Sequence, residues 1–145
     1  MLFRSSRSLQ QGGNAVFQVA GTLTEKAKTV AARLLEANDA DVVLDARFLP
    51  NPHWVDELRP LSGLDGPVND FVLEQPQARE FLDRATALLD LMSIGYLQEG
   101  KRYVTIAIGC TGGKHRSVSL AENLAARLVR QGVETLVVHR DLGRE

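Results

Sequence analysis

The sequence has little that would tie it to a membrane or to a disulfide framework. Cysteine occurs once, at Cys110, which excludes an internal disulfide and favours the cytoplasm. No apolar run approaches the roughly 20 residues that a membrane-spanning helix needs. The first residues, MLFRSSRSLQQGGN, contain two arginines but no apolar stretch after them. We therefore expect no secretory leader, no membrane contact and a cytoplasmic location.

The sequence also lacks a strong overall charge. Its net charge is −1, which by itself gives no reason to expect nucleic acid as a partner. The distribution is uneven, because residues 51–100 hold three Lys/Arg against nine Asp/Glu, whereas residues 101–145 hold eight against four. A basic C-terminal third attracts phosphate, either of a small molecule or of a nucleic-acid backbone.

Hydrophobic periodicity predicts alternating strands and helices. Strands are predicted at 14–20, 41–48, 102–109 and 134–140, and helices at 24–39, 77–98 and 117–132. This order indicates an α/β fold in which a mostly parallel sheet is flanked by helices. We expect one domain over residues 14–145, preceded by a flexible arm at 1–13.

Two of the predicted helices carry apolar stripes. These are Phe81, Leu82, Ala85, Leu88, Leu89 and Met92 on the first, and Val118, Ala121, Leu124, Ala125 and Leu128 on the second. Residues 49–67, rich in Pro and Gly, are predicted to be irregular. Ligands of parallel sheets bind beyond the carboxyl ends of the strands. The loops that follow Phe48 and Gly109 are therefore expected at the same edge of the sheet.

The loop GCTGGKHRS, residues 109–117, is the strongest chemical signal in the chain. A glycine-rich turn before a helix exposes several backbone N–H groups at the positive end of the helix dipole, and Lys, His and Arg side chains add donors. This composition predicts a phosphate site. It is not the nucleoside-triphosphate loop G-x-x-x-x-G-K-[ST], because Ile108 and His115 stand at required Gly and Ser/Thr positions.

Cysteine-dependent phosphatase chemistry is an alternative interpretation of the same loop. Cys110, Gly113, Arg116 and Ser117 form the pattern C-x-x-G-x-x-R-S, in which a thiolate attacks phosphorus and the arginine holds the phosphate oxygens. Gly109 stands where such enzymes usually have histidine. Such an enzyme also needs an acid to protonate the leaving group. Asp45, Asp65 and Asp70 are candidates, but no motif assigns the role to any of them. A tight turn without chemistry, with Cys110 as a small buried residue, is the structural alternative.

Two long blocks carry a family resemblance. DARFLPNPHWVDELRPLSGLDGPV (45–68) and YVTIAIGCTGGKHRSV (103–118), followed by VVHRDL (137–142), resemble the C-terminal domain of the RapZ family of bacterial RNase adapter proteins. The family is also described as nucleotide-binding. The resemblance covers about residues 40–142. This sequence has no counterpart of the family's N-terminal P-loop domain, and its last residues, DLGRE, lack the basic tail of RNA-binding members.

The resemblance implies a non-enzymatic sensor that binds an amino-sugar phosphate such as glucosamine-6-phosphate. It also implies RNA binding, delivery of a small regulatory RNA to a ribonuclease, and homo-oligomers, with no cofactor and no metal. Phosphate would be bound by Thr111, Gly112, Gly113, Lys114, His115, Arg116 and Ser117, and the sugar by Asp45, Arg47, Asn51 and His53. Cys110 would shape the loop.

Several of these residues have another interpretation from the sequence alone. Asp45 and Arg47 can pair with each other across the end of a strand. His53 can be a packing residue at the start of a helix. Trp54 is expected to pack in the core or at the rim, with RNA stacking as the alternative. A nucleic-acid module whose small-molecule site is vestigial is the third functional hypothesis.

Overall fold

A computed structural model describes the backbone of residues 13–18 and all of residues 40–143. The strands are β1 (Gly13–Gln18), β2 (Val42–Asp45), β3 (Tyr103–Gly109) and β4 (Thr135–Val138). The helices are α1 (Gly66–Glu74), α2 (Pro76–Gln98) and α3 (Arg116–Arg130), and a 3-10 turn spans Pro52–Trp54. The predicted helix at 24–39 and the predicted arm lie outside the described residues, except for Gly13, which begins β1.

The four strands form one sheet in the order β2-β3-β1-β4. β2 pairs with β3 in parallel, and β1 pairs antiparallel with both β3 and β4. β2, β3 and β4 therefore run in one direction, and β1 alone runs against them. The predicted α/β class is confirmed, but the sheet is mixed and not mostly parallel, because one of its three strand pairings is parallel and two are antiparallel.

The core lies between one face of the sheet and the helices. Val104, Ile106 and Ile108 of β3 are buried there, as are all five residues of the stripe predicted for α3. Each large aliphatic side chain buried in this way stabilises the fold by about 1.5–3 kcal/mol. The strand and the last long helix thus form the centre of the domain.

The apolar stripe predicted for α2 is only partly correct. Leu82 and Ala85 are buried, but Leu88 is 46% exposed. The second half of α2 still packs against the core through Leu89 and Tyr96, so Leu88 is exposed because it lies at the edge of the buried face, towards solvent. Leu91, Ile94 and Leu97 are exposed on the side of the helix away from the core.

Helix α1 begins inside a stretch that was predicted to be irregular. Pro67 stands in its first turn, where a helical residue needs no backbone donor, so proline is tolerated there. Val68 and Val72 bury the inner face of the helix. Asn69 Oδ1 accepts hydrogen bonds of 2.7 Å from both Ser119 and Asn123, which join α1 to α3.

The sheet register places the two chemically informative loops side by side. Asp45, the last residue of β2, lies opposite Gly109, the last residue of β3. The backbone N–H of Ala46 then donates to the Gly109 carbonyl at 2.7 Å. The prediction that both loops leave the same edge of the sheet is confirmed.

Candidate functional site

The loop from Cys110 to His115 joins the end of β3 to the start of α3. Gly113 has φ +67°, in the left-handed region that favours glycine. His115 occupies the N-cap position of α3 without a side-chain hydrogen bond to the helix. No side chain at that position competes for the first N–H groups of α3, which carry the positive end of its dipole.

Arg116, the first residue of α3, ties this loop to the one that follows β2. Its side chain is buried, at 4% exposure. One terminal nitrogen donates to the carbonyl of Leu49 at 2.8 Å and to that of Arg47 at 3.3 Å, and the other donates to Thr111 Oγ1 at 3.3 Å. The Nε atom is buried without a partner. The guanidinium therefore keeps one N–H donor for which the described residues supply no acceptor.

His115 is also buried, at 7% exposure, and its Nε2 atom has no partner among the described residues. Burial lowers the pKa of this imidazole below its ordinary 6.5, and the charge of Lys114 acts in the same direction. The backbone carbonyls of Arg59, Leu58 and Leu61 oppose the shift. The neutral form of His115 is consequently favoured at neutral pH.

The segment after β2 is held against the loop at Gly63. The N–H of Gly63 donates to the carbonyl of Lys114 at 2.8 Å. A Cβ atom at this position would lie 2.3 Å from the His115 carbonyl oxygen and 2.5 Å from the Ser119 nitrogen. Only glycine permits this close approach of two backbones.

The two loops enclose a pocket of about 580 Å³, within the range of small-molecule sites. Its lining consists of Asn51, His53, Trp54, Arg59, Cys110, Thr111, Gly112, Lys114, His115 and Arg116. Three of these side chains are cationic and two are imidazoles, and this lining contains no carboxylate. The pocket is therefore suited to an anion.

Most of the site residues predicted from sequence meet in this pocket. Those that line it are Asn51, His53, Thr111, Gly112, Lys114, His115 and Arg116. Gly113 and Ser117 lie behind the lining. Ser117 is fully buried, and its Oγ atom lies 3.1 Å from the Cys110 sulfur.

Asp45 and Arg47 do not line the pocket. Both carboxylate oxygens of Asp45 accept from Arg47 Nε and Nη2 at 2.6–2.9 Å. These hydrogen bonds hold the pKa of the Asp45 carboxyl below its ordinary value, and the charge of Arg116 lowers it further. The sequence allowed two interpretations of these residues, binding of the sugar or pairing with each other. In the structure Asp45 and Arg47 pair with each other.

Trp54 and Arg59 line the pocket but were not among the predicted ligand residues. Trp54 is 76% exposed, so of the two expected positions, the core and the rim, it has the rim. Arg59 donates from Nε to the His53 carbonyl at 2.9 Å and pairs with Asp56 at 2.7 Å. Both stand inside the block 45–68 that carries the family resemblance.

The family model of the RapZ C-terminal domain matches residues 32–143. The chain belongs to the RapZ family. It is 67% identical over 107 residues to a nucleotide-binding protein of Streptomyces coelicolor, a match that covers 74% of this chain and 36% of that protein. Similar values hold for a nucleotide-binding protein of Parafrankia, at 65% over 107 residues, 74% of this chain and 37% of the relative. This RapZ-family chain thus spans little more than a third of the relatives it matches.

The part of the chain that the structure describes contains neither a membrane-spanning helix nor a cluster of metal ligands. No helix there is long and apolar enough to cross a membrane. Within the same residues, His, Cys, Asp and Glu side chains form no group of three or more that is placed to bind a metal ion.

Proposed function

We propose that this RapZ-family domain binds the phosphate ester of an amino sugar, of the glucosamine-6-phosphate type, and releases it unchanged. The observation that carries the proposal is the buried Nε of Arg116, which lacks an acceptor among the described residues at the wall of an anion-compatible pocket. Leaving such a charged donor unpaired costs on the order of 1–3 kcal/mol. A phosphate oxygen supplies the missing acceptor.

Several further donors converge on the same place. The start of α3 adds backbone N–H groups and the helix dipole. Lys114 adds a positive charge, and Nε2 of His115 donates to a phosphate oxygen once the imidazole is protonated. A tetrahedral dianion accepts from all of these directions at once, whereas a planar carboxylate has fewer oxygens to offer. This favours a phosphate ester over a carboxylic acid.

The phosphatase alternative has one observation in its favour. Cys110 Sγ lies 3.1 Å from Ser117 Oγ, so the sulfur has a hydrogen-bond partner in the first turn of α3. Cys110 itself is only 3% exposed, and the pocket lining offers no carboxylate to protonate a leaving group. Departure of an alkoxide without an acid is slow, so these features favour binding without turnover.

Phosphorus NMR tests the choice between sensor and phosphatase. The purified domain is titrated with glucosamine-6-phosphate and followed for hours. A shifted or broadened ester signal with no inorganic phosphate is expected. Growth of an inorganic phosphate signal that Cys110→Ser abolishes would instead establish the phosphatase.

A set of variants tests which groups hold the phosphate. Thr111→Val keeps the shape of an exposed side chain but removes its hydroxyl, and Arg116→Ala removes the central guanidinium. Both are expected to weaken binding, Arg116→Ala by tenfold or more because charged hydrogen bonds contribute about 1.5–3 kcal/mol each. Arg84→Ala is the control, since Arg84 pairs with Glu80 on the surface of α2. Equal affinity of all three variants would contradict the proposed site.

The wider role belongs to the same proposal. We infer a cytoplasmic RNase adapter that binds a small regulatory RNA and brings it to a ribonuclease, supported by family membership and by the basic balance of residues 101–145. Retention of RNA on a filter is expected to fall steeply between low and moderate salt as counterions compete. Retention that does not change with salt would contradict an RNA-binding surface.

Self-association is also proposed. The row Leu88, Leu91, Ile94 and Leu97 leaves 46–71% of each side chain exposed along one side of α2, at a spacing of three residues. Contiguous exposed apolar surface of this kind marks protein contacts. Light scattering should show an oligomer that Leu91→Glu dissociates, and an unchanged mass would exclude this surface.

A further inference from the structure

Trp54 is the only tryptophan in the chain, and it is 76% exposed at the rim of the pocket. The backbone at Trp54 is held by the hydrogen bonds of the 3-10 turn. Asn51 Oδ1 caps the 3-10 turn by accepting from the N–H of His53 at 3.2 Å, and the N–H of Trp54 donates to the Asn51 carbonyl at 3.1 Å. The turn places the backbone of Trp54 at the rim of the pocket, where most of its side chain is exposed to solvent.

A short series of rings connects Trp54 to the phosphate loop. The His53 ring lies 5.3 Å from the indole in an edge-to-face contact and 6.4 Å from the His115 ring. Arg59 fixes the middle of this series through the carbonyl of His53. The indole is therefore one ring further from the loop than His53, in the part of the pocket that the rest of a bound phosphate ester would reach.

The charges of the pocket lining leave the sugar end without an anionic partner. Lys114, Arg116 and Arg59 suit phosphate but repel an ammonium group. Asp45, the carboxylate expected from the family resemblance to bind the sugar, has both oxygens engaged by Arg47. Among the lining residues, the face of an indole is the strongest neutral attractor for a cation.

We propose that Trp54 is the platform for the sugar ring of the bound phosphate ester, with the ring against the indole face and the ammonium of an amino sugar attracted to it. The proposal rests on the proposed function for the phosphate end of the ligand. It assigns recognition of the ring to Trp54 and not to the Asp45–Arg47 pair.

The single tryptophan makes the test direct, because emission excited beyond the tyrosine band reports on Trp54 alone. Emission is followed during titrations with glucosamine-6-phosphate, glucose-6-phosphate and inorganic phosphate, while phosphorus NMR measures binding in the same samples. The two esters are expected to change the emission and inorganic phosphate to leave it unchanged although it binds. The amino sugar should bind more tightly than the neutral sugar.

Two variants separate stacking from general effects. Trp54→Leu should weaken the amino-sugar ester roughly fivefold, the equivalent of one exposed cation–π contact of about 1 kcal/mol, and should leave inorganic phosphate unaffected. Trp54→Phe should recover part of the loss. Val129→Ala is the matched control, an exposed apolar residue at 57% exposure on α3.

The outcomes distinguish failure of the Trp54 platform from failure of the proposed phosphate-binding function on which it rests. If no phosphate compound binds, the proposed function fails. If the ester binds, but Trp54 emission is unchanged and Trp54→Leu retains full affinity, the phosphate site stands and the platform is wrong. Equal loss of ester and inorganic phosphate in Trp54→Leu would also overturn it, because Trp54 would then act on the phosphate loop and not on the ring.

Discussion

The contact at Gly63 provides the sharpest test of how the two loops are held together. In Gly63→Ala the new Cβ would meet three atoms below 3.0 Å, namely the His115 carbonyl oxygen at 2.3 Å, the Ser119 nitrogen at 2.5 Å and Val118 Cβ at 2.8 Å. Two of them are backbone atoms of the first turn of α3. They cannot rotate away, so either the helix or the segment after β2 must move.

The expected cost follows from two effects. Overpacking against a rigid neighbour costs about 1–3 kcal/mol. Separation of the backbones also weakens the 2.8 Å hydrogen bond from Gly63 to the Lys114 carbonyl, which contributes about 1 kcal/mol. We expect Gly63→Ala to lower the free energy of unfolding by roughly 2–4 kcal/mol, a large part of the roughly 5–15 kcal/mol typical of a domain.

Urea unfolding followed by circular dichroism measures this change, with two glycines as controls. At Gly66 and Gly95 a Cβ atom would have no neighbouring atom within 4 Å. Gly66→Ala should be nearly neutral, and Gly95→Ala in the interior of α2 should stabilise by about 0.5–1 kcal/mol. A Gly63→Ala protein as stable as Gly66→Ala would refute the close approach of the two loops.

Three other expectations follow from the site. Burial lowers the pKa of His115 below 6.5 in the folded protein, so the unfolded chain binds the imidazole proton more tightly than the folded one. The free energy of unfolding should therefore be highest above pH 6.5 and decline as the pH falls below 6.5. The decline should be smaller in His115→Gln. NMR of the imidazole should show this pKa rising when phosphate binds, and no rise would remove His115 from the anion site. Removing Arg47 should raise the pKa of Asp45 towards its ordinary value, whereas phosphate affinity should persist, since the pair lies outside the pocket lining.

Much of the fold was predictable because it depends on local pattern. The continuous apolar run of β3 and the five-residue stripe of α3 are both buried as expected, since side-chain period follows directly from backbone geometry. Leu88 shows the limit of this reasoning. A stripe specifies which side of a helix is apolar, but only the neighbouring elements determine how much of the width of that side they cover.

The sequence by itself determined the α/β class and the family resemblance, and it predicted an anion site at residues 109–117, because these features reside in neighbouring residues. Tertiary structure alone decided which distant side chains share the pocket. It placed Trp54 and Arg59 beside Lys114 and Gly63 against the start of α3. The physical reason is that such contacts depend on the register of β2 against β3 and on the close approach of two backbones, which no local pattern of residues encodes.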